Sequence, residues 1–125
     1  ALSKGEAVEI LKKCREEGLV HVVDNRQVVG HVICNCCHDC CLNWAVMKGP
    51  KKWVAPSRFE AFVDADLCSG CEVCLDRCFF DALSMKEDCA SVDPEKCLGC
   101  GVCTVVCPTE ALKLKETRAE NFVPA

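Results

Sequence analysis

Apolar residues near the start of this chain recur at helical spacing. Ala7, Ile10, Leu11 and Cys14 share one face, with lysines and glutamates opposite. Ser3 followed three residues later by Glu6 reads as a capping box, and Gly18 reads as the stop, so one helix is expected between them. The period then changes. Residues 19–23 and 28–33 are β-branched runs flanking Asp24-Asn25-Arg26-Gln27, which predicts a hairpin. Residues 42–48 read as a short helix closed by Gly49-Pro50. Beyond it, Phe59, Ala61 and Val63 alternate as a half-buried strand does. Leu83 and Met85 lead into the polar turn Lys86-Glu87-Asp88, residues 90–93 return from it, and Leu112 and Leu114 form a last strand.

The second half is a duplication. Asp64, Gly70, Val73, Ala82 and Leu83 recur 29 positions on as Asp93, Gly99, Val102, Ala111 and Leu112. A repeat at fixed offset implies two similar units about an approximate twofold. Cysteine follows the same offset. Cys68, Cys71, Cys74 and Cys78 have the spacing C-x2-C-x2-C-x3-C, and so do Cys97, Cys100, Cys103 and Cys107, the second run closed by Pro108. Three thiols two residues apart wrap one face of a compact group. Gly70, Gly99 and Gly101 suit a chain that turns sharply against it. The fourth cysteine of each run is expected to open a short helix, from Cys78 to about Leu83 and from Cys107 to about Leu112.

These runs resemble the ligand runs of bacterial-type two-[4Fe-4S] ferredoxins, and the likeness covers residues 59–114. In that family three cysteines of each run hold one cluster while the fourth crosses to the other. The resemblance therefore implies Cys68, Cys71, Cys74 and Cys107 around one [4Fe-4S] cluster, and Cys97, Cys100, Cys103 and Cys78 around a second. It implies an α+β class, with a ferredoxin-like pseudo-twofold (βαββαβ) dicluster fold in residues 58–125. A small helix and β-hairpin segment with a Cys-rich loop precedes it in residues 1–57. One departure is Phe79, which stands after Cys78 where Pro108 follows Cys107; Phe79 and Phe80 are expected to shield the cluster. More narrowly, Ala7-Val8-Glu9-Ile10-Leu11, Gly18-Leu19-Val20-His21 and the cysteine segment after them look like the C-terminal part of a larger group of bacterial 4Fe-4S dicluster proteins. That likeness implies a larger chain or complex.

The segment in question is Cys34-Asn35-Cys36-Cys37-His38-Asp39-Cys40-Cys41. Cys34, Cys37 and Cys40 repeat the two-residue spacing of a cluster loop. Cys41 is the expected fourth ligand, entering the helix that comes next, with Cys36 pointing away. Cys36 and His38 are alternative ligands, and Cys14 and His31 are further donors. Three readings stay open: a third [4Fe-4S] cluster, a zinc site, or thiols without metal. The C-x-x-C-H haem pattern from Cys34 to His38 leaves Cys36, Cys40 and Cys41 unexplained. Cys14 is expected to be buried on its helix face and Cys89 to be a bystander in the hairpin turn.

Composition narrows the class. Fifteen cysteines among 125 residues is an odd count, which fits a disulfide framework poorly, as do adjacent pairs such as Cys36-Cys37. A zinc ribbon needs two separated pairs rather than three thiols in succession. Net charge is −4, and residues 65–125 carry eleven acidic against six basic side chains. Low reduction potentials are expected from that acidity. Residues 1–33 balance five basic against five acidic residues, so the helix and hairpin carry no footprint for nucleic acid. Lys48, Lys51, Lys52 and Arg58 form a small basic patch read as a solvated loop, and Trp44 and Trp53 are read as packing residues. No membrane span is expected. So many thiolates imply a reducing, anaerobic cytoplasm.

The sequence thus points to low-potential electron transfer to or from an unidentified redox partner protein rather than to an enzyme. Two alternatives are weighed. One is a redox or metal sensor built on residues 34–41. The other is a cluster-based enzyme using that segment, with His38 as a proton donor. No Ser/His/Asp set, phosphate loop or paired carboxylates beside a nucleophile is present in the sequence.

Overall fold

The structure is a computed structural model that describes residues 1–23, 32–41 and 54–122. The turn expected at 24–27, the helix expected at 42–48, the glycine-proline stop, His31, both tryptophans and the three lysines of the basic patch lie outside these residues. The chain divides into two compact units, the first including Ala1–Val54 and the second Ala55–Phe122. It is a small α+β protein of two-stranded antiparallel sheets.

In the first unit, α1 spans Lys4–Glu16. Its capping box forms in full: the Ser3 hydroxyl accepts from the Glu6 amide at 3.3 Å, and the Ser3 amide donates to the Glu6 carboxylate at 2.8 Å. At the other end Gly18 takes φ 83°, and the amides of Gly18 and Leu19 donate to the carbonyls of Arg15 and Cys14. That double closure is a Schellman motif, which needs a left-handed residue where glycine stands. The helix buries no residue fully. Cys14, expected to be buried, is half-buried, and Ile10 remains 45% exposed. The strands β1 (Val20–Val23) and β2 (Ile33–Cys36) pair antiparallel, Val20 against Cys36 and Val23 against Ile33. The second strand therefore runs into the cysteine segment instead of stopping before it.

The second unit holds β3 (Phe59–Val63), β4 (Leu83–Lys86), β5 (Cys89–Val92), α2 (Val102–Val105) and β6 (Leu112–Glu116). β3 pairs with β6, and β4 with β5. Each sheet joins a strand from one sequence repeat to a strand from the other. Val63 faces Leu112 in one sheet and Val92 faces Leu83 in the other, pairs related by the repeat offset. The hydrogen bonds repeat likewise. The Asp64 amide donates to the Ala111 carbonyl at 2.9 Å, and the Asp93 amide to the Ala82 carbonyl at 2.7 Å.

The helices expected after the fourth cysteines do not form. The one helix described in this unit, α2, precedes Cys107, and only a single turn succeeds Cys78 and Cys107. Asp81 donates to the carbonyl of Cys78, and Glu110 to that of Cys107. The reason is local: Asp81 and Glu110 take φ 52° and 55°. A left-handed residue ends a helical path and redirects the chain into the strand that begins two positions later.

The interior of this unit is thin. Its buried cluster consists of Ala61, Cys74, Ala90, Cys103 and Leu112, and the largest side chain removed fully from water is Val102. At about 0.8 kcal/mol per buried methylene, alanines and one leucine cannot offset the entropy of ordering some sixty residues. Two of the five core members are thiols, so the missing stabilisation must come from whatever those thiols hold. Stripping metal with acid and chelator should therefore abolish the sheet signal of this unit in far-UV circular dichroism. Retained sheet ellipticity with a cooperative melt would show that the apolar core suffices.

Candidate functional site

Each cysteine loop of the second unit begins with the same device. The Asp64 carbonyl accepts from the amides of Leu67 and Cys68, and the Asp93 carbonyl from those of Lys96 and Cys97. The Asp64 and Asp93 carboxylates accept from the amides two residues on, at 3.3 and 3.0 Å. These Asx turns set the first thiol of each run. Gly70 and Gly99 then take φ 67° and 68°. A Cβ on Gly70 would meet the Asp88 carbonyl oxygen at 2.7 Å, and one on Gly99 would run into the carbonyl of Phe59. Asp88 and Phe59 are themselves 29 apart, so each loop seats against the start of a strand from the opposite repeat.

Among the thiols, two neighbourhoods emerge that cut across the sequence runs. Cys68, Cys71, Cys74 and Cys107 line one cavity of about 340 Å³, counting its open mouth, together with Ala90 and Leu112. Burial pushes the Cys74 thiol up, and the charges of Cys71, Cys107 and Cys68 push it further. On the other side, Cys103 is pushed up to about 12, by burial first and then by Cys100, Cys78 and Cys97. Cys100 is raised by burial, with Cys78 and Cys97 as its charged neighbours. The fourth thiol of each run thus stands with the other run's triplet.

Backbone donors work against this repulsion at particular sulfurs. Cys68 is held below the ordinary thiol range, chiefly by the amides of Ala90 and Gly70 and then by the Cys89 thiol. At Cys107 burial pushes upward, yet the amides of Leu112, Thr109 and Ala111 and the Thr109 hydroxyl bring it down. The Ala61 amide points at the Cys97 sulfur at 3.5 Å, and the Ala82 amide at the Cys78 sulfur at 3.3 Å. Amides aimed at sulfur are what a ligating thiolate takes from its surroundings. The two neighbourhoods differ in exposure. Cys71 is exposed and Val73 beside it is 48% exposed, whereas its repeat partner Val102 is 1% exposed. Phe79 and Phe80 are half-buried.

In the first unit the cysteine segment parts into two groups. Cys34 and Cys36 lie two apart on β2, so their side chains share a face. Cys36 is pushed up to about 12, by burial first, then by a hydrogen bond and charge from Cys41, then by Cys34. The expectation that Cys36 points away from the loop is therefore corrected, because the strand carries it toward Cys41. The second group is Cys37 and Cys40, with sulfurs 2.6 Å apart. Asp39 joins them, all three donor atoms lying within 4.8 Å of one another. The Cys37 thiol donates to Asp39 and lowers its carboxyl, while Cys40 is pushed up to about 11, chiefly by Cys37. Asp39 is a donor that cysteine spacing alone does not mark. A carboxylate between the thiols of a C-x-x-C was the available signal. Arg58, the described member of the basic patch, is paired with Glu116 at 2.7 Å.

Residues 61–84 and 90–113 each match the 4Fe-4S binding domain family. No curated protein matches the chain. With the cysteines in place, the two matches support a ferredoxin-like protein of [4Fe-4S] centres, a class that in general performs iron–sulfur electron transfer. The donor sets fit such a group. Thiolates gathered this closely repel one another unless iron supplies positive charge, and the loops aim amides at the sulfurs. Among the described residues no helix is long and apolar enough to cross a membrane.

The loop geometry makes a sharp mutational contrast. Gly99→Ala must abandon its φ and its seat against Phe59, which should cost several kcal/mol and prevent iron from being retained on purification. Gly5→Ala, in α1 with nothing within 4 Å, should be neutral or stabilising by up to about 1 kcal/mol. Equal iron content and melting behaviour in the two variants would contradict this account of the loop.

Proposed function

We propose that this chain is a low-potential electron carrier, binding two [4Fe-4S] clusters with crossed ligation and serving a partner oxidoreductase in an anaerobic cytoplasm. Cys68, Cys71, Cys74 and Cys107 would hold one cluster, and Cys97, Cys100, Cys103 and Cys78 the other, about a pseudo-twofold. The observation that carries the reading is the company kept by Cys107 and Cys78, each beside the triplet of the opposite run. When bound, such a cluster supplies a one-electron couple whose potential its protein surroundings set. The chain's own part is to gather the sulfurs, aim amides at them and keep water from Cys103. Eleven acidic residues against six basic in 65–125 disfavour added negative charge and favour low potentials. The exposed side at Cys71 offers a partner the shorter approach.

The crossing has a direct test. Cys107→Ala should destroy the centre of Cys68, Cys71 and Cys74, leaving one EPR signal from the reduced protein and about half the iron. Loss confined to the centre of Cys97, Cys100 and Cys103 would refute the assignment.

A third metal centre on residues 34–41 belongs to the same proposal. Cys34, Cys37, Cys40 and Cys41 were the sequence-based ligands; the gathering of Cys36 with Cys41, and of Asp39 with Cys37 and Cys40, widens the donor set. Zinc suits thiolate and carboxylate together, while a further [4Fe-4S] cluster suits four thiolates. A variant with Cys34, Cys37 and Cys40 all changed to Ser should lose iron or zinc while keeping the visible spectrum of the ferredoxin-like unit. Metal content equal to the parent's would leave these thiols as a redox or structural element.

A further inference from the structure

β2 ends at Cys36, and the chain then turns over residues 38–40. The turn brings the Cys37 sulfur, the Cys40 sulfur and an Asp39 carboxylate oxygen within 4.8 Å of one another. Among the described residues, no other three donors from cysteine, histidine, aspartate and glutamate converge so closely. The two sulfurs are 2.6 Å apart, and Asp39 and Cys40 are exposed.

Distance decides what such a set can hold. Two thiolates on one tetrahedral ion, each at about 2.3 Å from it, stand roughly 3.8 Å apart. A [4Fe-4S] cubane seats each thiolate on a different iron and needs them spread around its bulk. The second unit supplies the comparison. Its loops match the 4Fe-4S binding family, and four of its thiols line a cavity of about 340 Å³, counting the open mouth. No three of its thiols draw together within 4.8 Å. Residues 37–40 therefore have the spacing of one ion. Binding asks their sulfurs to part by about an ångström, not to be carried toward each other from afar.

Donor type agrees with distance. A carboxylate oxygen is hard and a thiolate soft, and the mixture suits a divalent cation of borderline softness, zinc above all. Without a cation, a carboxylate beside two thiolates repels them. Cys34 is held elsewhere, in the ladder of β2 opposite Val22, and is not among the converging donors.

We propose that Cys37, Asp39 and Cys40 bind a single divalent cation of the zinc class, as a mononuclear centre and not a third iron–sulfur cluster. This rests on the reading of residues 34–41 as a metal centre and specifies its kind and its ligands. Three donors from four successive residues make the turn itself the site.

The test loads the full chain anaerobically with iron, sulfide and zinc, then measures metals and the zinc-edge X-ray absorption, which the iron centres do not obscure. About one zinc should accompany about eight irons, with oxygen beside sulfur in the zinc shell. Cys34→Ser should keep the zinc and that shell. Asp39→Asn should weaken zinc binding, in competition with a chelator, by more than about tenfold. An all-sulfur zinc shell, or zinc lost in Cys34→Ser, would overturn the proposal. About twelve irons without zinc would overturn it while leaving the third centre standing. About eight irons without zinc would remove the third centre as well.

Discussion

The fold of the second unit depends on a repulsion. Thiols from distant points of the chain are brought together in two groups, each within reach of its members' charge. In the absence of a cation such groups either stay protonated, as the raised Cys103 shows, or push the chain apart. With a cation present the same arrangement becomes attractive, and folding and metal binding become one equilibrium. The slight apolar core of alanines, two thiols and a leucine is a consequence: the chain has no need of a larger one once metal cross-links it.

Interleaving spreads that dependence over the whole unit. Each sheet contains one strand from either repeat, and each loop glycine seats against the other repeat's strand. Neither repeat can therefore keep its sheet while the other unfolds. The hydrogen bonds that the Asp64 and Asp93 amides donate to the Ala111 and Ala82 carbonyls fix the entry into each thiol loop to a residue just beyond the opposite run's fourth cysteine. A cysteine that crosses between loops is thus held by backbone that crosses as well. Duplication accounts for this economically, since one set of local rules, applied twice, yields two loops that complete each other.

Much of this was legible in the sequence because it depends on spacing. Cysteine intervals, the alternation of Phe59, Ala61 and Val63, and the capping box at Ser3 and Glu6 are one-dimensional signals with one local outcome. Where the reading failed, the outcome depended on side-chain direction or on a single dihedral. The residues after Cys78 and Cys107 have helical composition, but one left-handed residue in each stretch ends the path. Cys36 was misdirected because the strand boundary lay three residues further on than the β-branched run indicated, and strand alternation then decides which thiols meet. Cys89 sits where a turn was expected to end; as the first residue of β5 it is paired with Lys86 of the neighbouring strand. Spacing cannot reveal a partner chosen by the opposite strand.

The places where the repeats differ carry as much information as those where they agree. Glu72 and Gly101 occupy equivalent positions with φ 62° and 77°, so the backbone conformation is kept even where glycine is not. A left-handed glutamate costs on the order of 1 kcal/mol, which the loop bears at its exposed edge. Val73 is open to solvent where Val102 is buried, and Cys89 stands where the other half has Glu60. The left-handed turn of the loop is thus kept while its solvent exposure is varied. If both loops hold the proposed clusters, these different surroundings would give the two centres different affinities for an electron.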